Sequence, residues 1–284
     1  MSPFQRHIET CNNLPSPGNR LPFRIGAEQV GWVAPELAQA LTFFPREMHF
    51  DQDGVSLAGR LRTPGARSQA LAEVAASLAK RGYFRLRGED FDIRATADGP
   101  ALAAIDRGAL PAFGIIGQGI HVNGRVARPD GLHLWVGWRA KDKAVAPGQM
   151  DNLIAGGIPA GLTAEECLVK EAEEEASVPA ELAIRARRVA RLSYVMATED
   201  GMRRDVLHCF DLDLPDDFVP RPGDDEVERF ELWPVRRVLE AVRDTDSVKF
   251  NVNLALIDLF LREGLIDPGS EEGRKLRAGL DQGP

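Results

Sequence analysis

Three glutamates, Glu171, Glu174 and Glu175, sit three and four residues apart in the stretch GGIPAGLTAEECLVKEAEEEASV. At ~100° per residue of a helix they fall within an arc of roughly 100°. Thr163 followed by Glu166 reads as a capping box, so a helix is expected from about residue 164, and Pro179 limits it at its far end. Leu168, Val169, Ala172 and Ala176 form the neighbouring arc that can pack inward, while Glu173 points elsewhere. Like charges at these spacings repel by a few tenths of a kcal/mol per pair. They also lie towards the helix C-terminus, where the macrodipole disfavours anions. A solvated acidic face is one explanation. The other is a divalent cation held among the carboxylates, whose hard oxygens suit Mg²⁺ or Mn²⁺.

The elements that must position these groups can be read around them. Residues 116–126 and 132–139 alternate as strands about the turn Arg128-Pro129-Asp130-Gly131. Residues 187–197 and 202–212 pair across Glu199-Asp200-Gly201, and DDEVERFELW (224–233) is a further strand. Helices are expected over 179–184, 235–242 and 249–263, the last with Phe250, Leu254, Ile257 and Leu261 on one face. From Asp267 the chain is charged and glycine-rich, and fraying is expected. Upstream, a polar entry of about 20 residues precedes a short helix over 35–43 and a hairpin over 48–61 turning at Asp53-Gly54. A helix over 68–81, a strand over 83–93 and a second helix over 99–110 complete that half. Arg85, Arg87 and Arg94 are spaced like a basic strand face, either solvated or reaching a phosphate. His7 and His49 stand alone.

The glutamate helix and the glycine turn before it resemble the Nudix box, G-x5-E-x7-R-E-U-x-E-E-x-G-U (U aliphatic). Gly156 takes the first position, Glu171 the central glutamate, Glu174 and Glu175 the closing pair, and Val178 the last aliphatic position. Leu162 replaces the first glutamate, Lys170 the arginine and Ser177 the late glycine. Lys170 keeps the charge without the bidentate fork. The resemblance implies an α/β fold, a Nudix α/β/α sandwich with a mixed sheet over residues 113–284, preceded by a small α+β accessory domain over residues 1–112. It implies metal ligation by Glu171, Glu174 and Glu175, with Lys170 fixing them and Gly156 shaping the turn. It also implies a further carboxylate from a later strand: Glu228 first, Glu226 second, both on one face of an extended DDEVERF. Glu174, Glu175 and Glu228 are the catalytic candidates. Two or three Mg²⁺ ions would neutralise a diphosphate and raise the hydroxide fraction of an attacking water, with Glu175 or Glu228 as base.

The phrases DGLHLWVGWRA, APGQMDNLIAGGIPAG, KEAEEEASVP, DDEVERFELW and KFNVNLALIDLFLREGLI narrow the likeness. Together they resemble Nudix proteins related to the domain fused to fungal thiamine pyrophosphokinase, over roughly residues 20–266. That implies hydrolysis of thiamine diphosphate, or its oxidised forms, to the monophosphate. A ring wall of Trp135, Trp138 and Phe250 is expected, with core packing the alternative for the tryptophans. Arg139, Gln149 and Asn152 are further substrate contacts. The rivals are another nucleoside diphosphate derivative, such as a nucleotide sugar or a dinucleotide, and a non-catalytic diphosphate-binding module. PGQMDN and the box also resemble isopentenyl-diphosphate isomerase, but Ala155 stands where that enzyme needs cysteine.

Composition sets outer bounds. The 284 residues suit two domains, and 44% hydrophobic with 27% charged residues is ordinary for a soluble globular protein. A net charge of −8 argues against nucleic acid or an anionic membrane as partner. Cys11, Cys167 and Cys209 lack metal or disulfide spacing, and neither an apolar leader nor a membrane-length run is present, so a cytoplasmic location is expected. A homodimer is compatible with this reading.

Overall fold

The computed structural model describes residues 2–143, 145–223 and 225–283. In chain order its elements are α1 (Gln5–Cys11), β1 (Leu21–Ile25), β2 (Glu28–Val33), α2 (Pro35–Leu41), β3 (Met48–Asp51), β4 (Gly54–Leu57), α3 (Pro64–Lys80), β5 (Asp90–Ile93), β6 (Ala103–Asp106) and α4 (Leu110–Phe113). They continue with β7 (Ile116–Arg128), β8 (Gly131–Arg139), β9 (Met150–Asp151), α5 (Ala164–Ala176), α6 (Ala180–Ala183), β10 (Arg187–Thr198), β11 (Gly201–Asp213) and β12 (Val227–Pro234). Three helices close the chain: α7 (Val235–Asp244), α8 (Val252–Arg262) and α9 (Glu271–Gly279).

The second half is a six-stranded mixed sheet ordered β10-β11-β7-β8-β12, with β9 beside β8 and β7 parallel to β11. Alternation along β7, β8 and β11 gives the sheet two apolar faces. Ile120, Val122, Trp135 and Phe210 meet Leu168, Ala172 and Ala176 of α5 on one side. Leu134, Val136, Leu207 and Cys209 meet α7 and α8 on the other. This is the expected α/β/α sandwich. The first half has its own core, where α3 presents Leu71, Val74 and Leu78 to Phe23, Val55 and Ile93. Its strands form a sheet ordered β2-β1-β4-β3 and the separate pair β5-β6. Among the described residues no helix is long and apolar enough to cross a membrane.

Four local expectations need correcting. The stretch 99–110 is not a helix. Ala103 and Ile105 are buried and alternate with Ala104 and Asp106, a two-residue period that makes β6 pair with β5. Only the last residues of 83–93 form a strand, because the Asp106 carboxylate captures the Arg87 and Gly88 N–H groups at 2.7–3.0 Å and bends the chain into a loop. The tail does not fray: Ser270 caps α9, and Leu276 and Leu280 are buried. The polar entry contains α1, whose Phe4, Ile8 and Cys11 are buried in the same core as α8 and α9. The β12 strand begins at Val227; Asp224, where it was expected to start, lies outside the described residues.

The two halves dock closely. Ala160 N–H donates to the Asp90 carbonyl at 2.7 Å, and Gln118 Nε2 to the Ala97 carbonyl at 3.0 Å. A Cβ at Gly157 would lie 2.3 Å from the Phe91 ring, so only glycine admits that approach.

Ile8 is 2% exposed and packs on Gly279. Ile8→Ala should therefore cost about 2–5 kcal/mol in urea unfolding of the full chain. An unchanged midpoint would show that α1 does not hold the last helix.

Candidate functional site

Helix α5 starts as its sequence dictates. Thr163 Oγ1 accepts from Glu166 N–H at 3.2 Å, and Glu166 Oε2 accepts from Thr163 N–H at 2.8 Å. The helix ends at Ser177 in the left-handed conformation (φ 50°). Glycine takes that conformation at no steric cost, whereas serine carries a Cβ penalty. Ser177 Oγ donates to the Arg221 carbonyl at 3.0 Å, and Gly223 N–H donates to the Glu175 carbonyl at 3.2 Å. A Cβ on Gly223 would fall 2.2 Å from the Glu174 carbonyl oxygen. The chain thus wraps the helix end at close range and delivers Glu226 beside it.

Glu171, Glu174, Glu175 and Glu226 line one cavity of about 310 Å³. Gly156 and Gly157 form its floor, and a Cβ at Gly156 would lie 3.0 Å from the Glu171 carboxyl. Glu175 is 5% exposed and accepts one hydrogen bond, from Ala155 N–H at 3.0 Å. Burial, reinforced by Asp151, Glu171 and Glu226, pushes its carboxyl well above the usual range. Glu171 is also raised, chiefly by burial. Lys170 Nζ donates to Glu174 at 2.7 Å and Glu171 at 3.1 Å, and these bonds keep it protonated beyond the ordinary lysine range.

The far wall is polar and ordered. Buried Asp151 pairs with Arg139 at 3.0 Å and Lys249 at 2.9 Å. Burial favours its neutral form, but the Lys249 and Arg139 cations outweigh burial and keep the carboxyl below the usual range. His121 Nδ1 donates to Asn152 Oδ1 at 2.9 Å, and burial depresses its pKa to about 4, leaving a neutral ring in the cavity wall. From there Asn152, Asn123 and Asp211 run in a chain to Arg262 of α8. Asn251 also lines the cavity, and its buried Oδ1 has no hydrogen-bond partner among the described residues.

Several expected contacts lie elsewhere. Glu228 is exposed, 3.9 Å from Arg229 and off the cavity, whereas Glu226 lines it. A bulge between Val227 and Arg229 breaks the alternation that would have put the two glutamates on one face. Trp135 is 9% exposed on the α5 side of the sheet, packed in the core. Trp138 packs on Trp233 at 6.0 Å under Arg229, and Phe250 on Tyr194 at 6.1 Å under Arg203. Gln149 Nε2 donates to the Asp246 carbonyl. Arg139, Gly156 and Lys170 are on the cavity wall, and buried Asn152 stands behind it. Sequence reasoning missed His121, Asp151, Lys249 and Asn251, single polar residues within strand or loop patterns. It also missed Phe91 and Arg107 from the first half.

The donor set is all oxygen, the chemistry suited to Mg²⁺ or Mn²⁺. Among the described residues no three acidic or imidazole groups are already drawn together as a metal cluster. Lys170 spans Glu171 and Glu174 and supplies part of the compensating charge.

Comparison with known proteins agrees with this architecture. Residues 3–117 match a domain of unknown function (DUF4743), and residues 119–252 match the NUDIX domain. The chain is 40% identical over 271 residues to Nudix hydrolase 24, chloroplastic, of Arabidopsis thaliana, covering 94% of this chain and 74% of that protein. The chain belongs to the Nudix hydrolase family. Nudix hydrolase 20, chloroplastic, of the same plant is 37% identical over 278 residues, with the same coverage. The uncharacterized protein YJR142W of Saccharomyces cerevisiae is 32% identical over 181 residues, 59% of this chain and 53% of that one. As a Nudix hydrolase this chain is an enzyme acting on a diphosphate bond.

Glu175 also makes a stability statement. Its folded carboxyl is raised above the ordinary value, so its contribution is fully present below about pH 4.3 and is lost as pH rises through the raised value. Metal-free Glu175→Gln, which can still accept from Ala155 N–H, should melt higher than the wild type at pH 7.5, with the gap closing towards pH 4. Equal melting temperatures at both pH values would mean that the buried charge carries no strain.

Proposed function

We propose that this chain is a Mg²⁺- or Mn²⁺-dependent pyrophosphohydrolase that cleaves thiamine diphosphate, or an oxidised analogue, to the monophosphate. The observation that carries the catalytic reading is the convergence of Glu171, Glu174, buried Glu175 and Glu226 on one cavity. Glu171, Glu174, Glu175 and Glu226 would hold the cation. When bound, it neutralises the diphosphate and polarises the phosphorus under attack. Ala155 N–H fixes the Glu175 carboxyl, so the carboxylate is held in place to take a proton from the attacking water. Lys170 steers Glu171 and Glu174. Neutral His121, held by Asn152, orders the opposite wall without adding charge.

The substrate reading rests on the likeness to the thiamine-related Nudix proteins, and the cavity is compatible with it. Phe91, Leu110 and Leu207 line the cavity as apolar surface in place of the tryptophans and Phe250. Asn251 Oδ1, buried and unpaired, offers an acceptor for an amino group such as that on the pyrimidine ring. An unfilled buried acceptor costs about 1–3 kcal/mol, so a ligand donor placed there gains accordingly. A nucleotide sugar or dinucleotide also presents ring amino groups and remains the second reading.

Glu174→Gln and Glu175→Gln should each lower turnover at least about 100-fold with Mg²⁺, without loss of stability. Near-normal activity in either would remove that residue from the machinery. A phosphate-release screen over thiamine diphosphate, its oxidised forms, nucleotide sugars and dinucleotides decides the substrate. Activity confined to the nucleotides would sink the thiamine reading and leave the hydrolase intact.

A further inference from the structure

A second cleft, of about 280 Å³, opens beside the carboxylate cavity and shares with it the charged groups Arg107, Arg139, Arg203, Asp205 and Glu226. Its lining holds seven basic and three acidic side chains, a surplus of four positive charges in a chain whose net charge is −8. Four of the seven cations are committed: Arg139 to Asp151, Lys143 to Glu226, Arg203 to Asp205 and Arg107 to Glu89. Arg85, Arg87 and Arg204 have no carboxylate partner among the described residues.

These three arginines are held on a built frame. Asp106 accepts from the N–H groups of Arg87, Gly88 and Gly108 at 2.7–3.0 Å, fixing the loop that carries Arg85 and Arg87. Gly108 lets that loop close, since a Cβ there would lie 1.9 Å from the Arg85 carbonyl oxygen. The Asp106 carboxylate is thus spent on the backbone of this loop. On the other wall Arg204 donates to the Gly114 carbonyl at 3.0 Å, and burial without a counter-charge lowers its proton affinity. Leaving a partly buried guanidinium without an anion is costly unless one arrives. Arg85 and Arg87 come from the first half of the chain and Arg204 from the second, so the cleft exists only in the docked protein.

A diphosphate lying over Glu171, Glu174 and Glu175 is bordered on this side by Arg107, Arg139 and Arg203. Its unsubstituted end carries the highest charge, and guanidinium forks match phosphoryl oxygens in geometry. We propose that the cleft of Arg85, Arg87 and Arg204 receives the terminal phosphoryl group of a monosubstituted diphosphate. The accessory half thereby selects such compounds over diphosphates substituted at both ends. The inference rests on the diphosphatase reading above and adds the end group of the substrate to it.

Calorimetric titration of inorganic pyrophosphate into the full chain, in EDTA, isolates the cleft from the metal site. The wild type should bind. The double variant Arg85→Ala/Arg87→Ala should bind at least about tenfold more weakly. Arg85→Lys/Arg87→Lys should recover part of that loss, and Glu174→Gln should retain binding. Both arginine side chains are exposed and make no bonds among the described residues, so circular dichroism of the variants should be unchanged. With Mg²⁺, the alanine double variant should raise KM for thiamine diphosphate about tenfold or more and change kcat less. Absence of wild-type binding, or equal binding by wild type and the alanine variant, overturns the proposal. Arginine-dependent pyrophosphate binding without turnover of thiamine diphosphate supports the cleft and sinks the thiamine reading alone.

Discussion

The structure is organised around an unfavourable burial. The Glu175 carboxyl sits 5% exposed near Asp151, Glu171 and Glu226, at the end of a helix whose dipole also opposes it. Nothing in α5 alone would hold a carboxylate there. The capping box fixes where the helix begins, and the turn at Ser177 with the 221–223 segment fixes where it ends. The sheet face of Ile120, Val122 and Phe210 fixes its rotation by burying Leu168, Ala172 and Ala176. With start, end and rotation set, Glu171, Glu174 and Glu175 face the glycine floor because no other orientation buries the apolar stripe. Packing overrides electrostatics here, and on the proposed reading a site that holds cations against an anion would depend on that override.

The two glycines at 156 and 157 link this constraint to the first half of the chain. Gly156 brings backbone against Glu171, and Gly157 brings it against Phe91 of β5. One short turn therefore touches the acidic helix on one side and the accessory core on the other. Phe91, Glu89 and Arg107 reach the cavity wall only because the β5-β6 pair is pinned at that turn by the bond from Ala160 to Asp90. The accessory half is part of the site's enclosure, which is why a pattern confined to the second half describes the cavity incompletely.

Much of this was legible in the sequence. Thr163 and Glu166 mark the helix start through a local hydrogen-bond pattern, and local patterns survive in one dimension. The hairpins at Asp53-Gly54 and Asp130-Gly131, and the α/β/α order, follow from alternation and turn residues. What failed depends on register and on which face is which. A bulge at Glu228 shifts register by one residue and hands the cavity to Glu226. Trp135 follows strict alternation, yet both faces of a central strand are buried, so alternation could not say whether its ring meets a ligand or α5. Ala103 and Ile105 read as helix because a four-residue strand gives too short a run to show its period. The tail looked polar because Leu276 and Leu280 are two apolar residues among charges, and α1 was needed to reveal what they cover.

Charge is divided across the site in a way that suits an anionic ligand entering an acidic protein. A net charge of −8 repels a diphosphate at long range, and at physiological salt that repulsion fades beyond ~8 Å. Within that distance the local field governs. The carboxylate side needs cations before it can accept phosphate, whereas the arginine side offers positive charge at once. Arg139 and Lys249 stand between, both tied to Asp151, which stays ionised because they outweigh its burial. If the arginines were paired with carboxylates, an arriving phosphate would first have to break those pairs. Because Asp106 is bound to backbone N–H groups instead, Arg85 and Arg87 are free to take the ligand without that cost. The basic loop, braced through its backbone by Asp106, is thus left with its guanidiniums open to an anion.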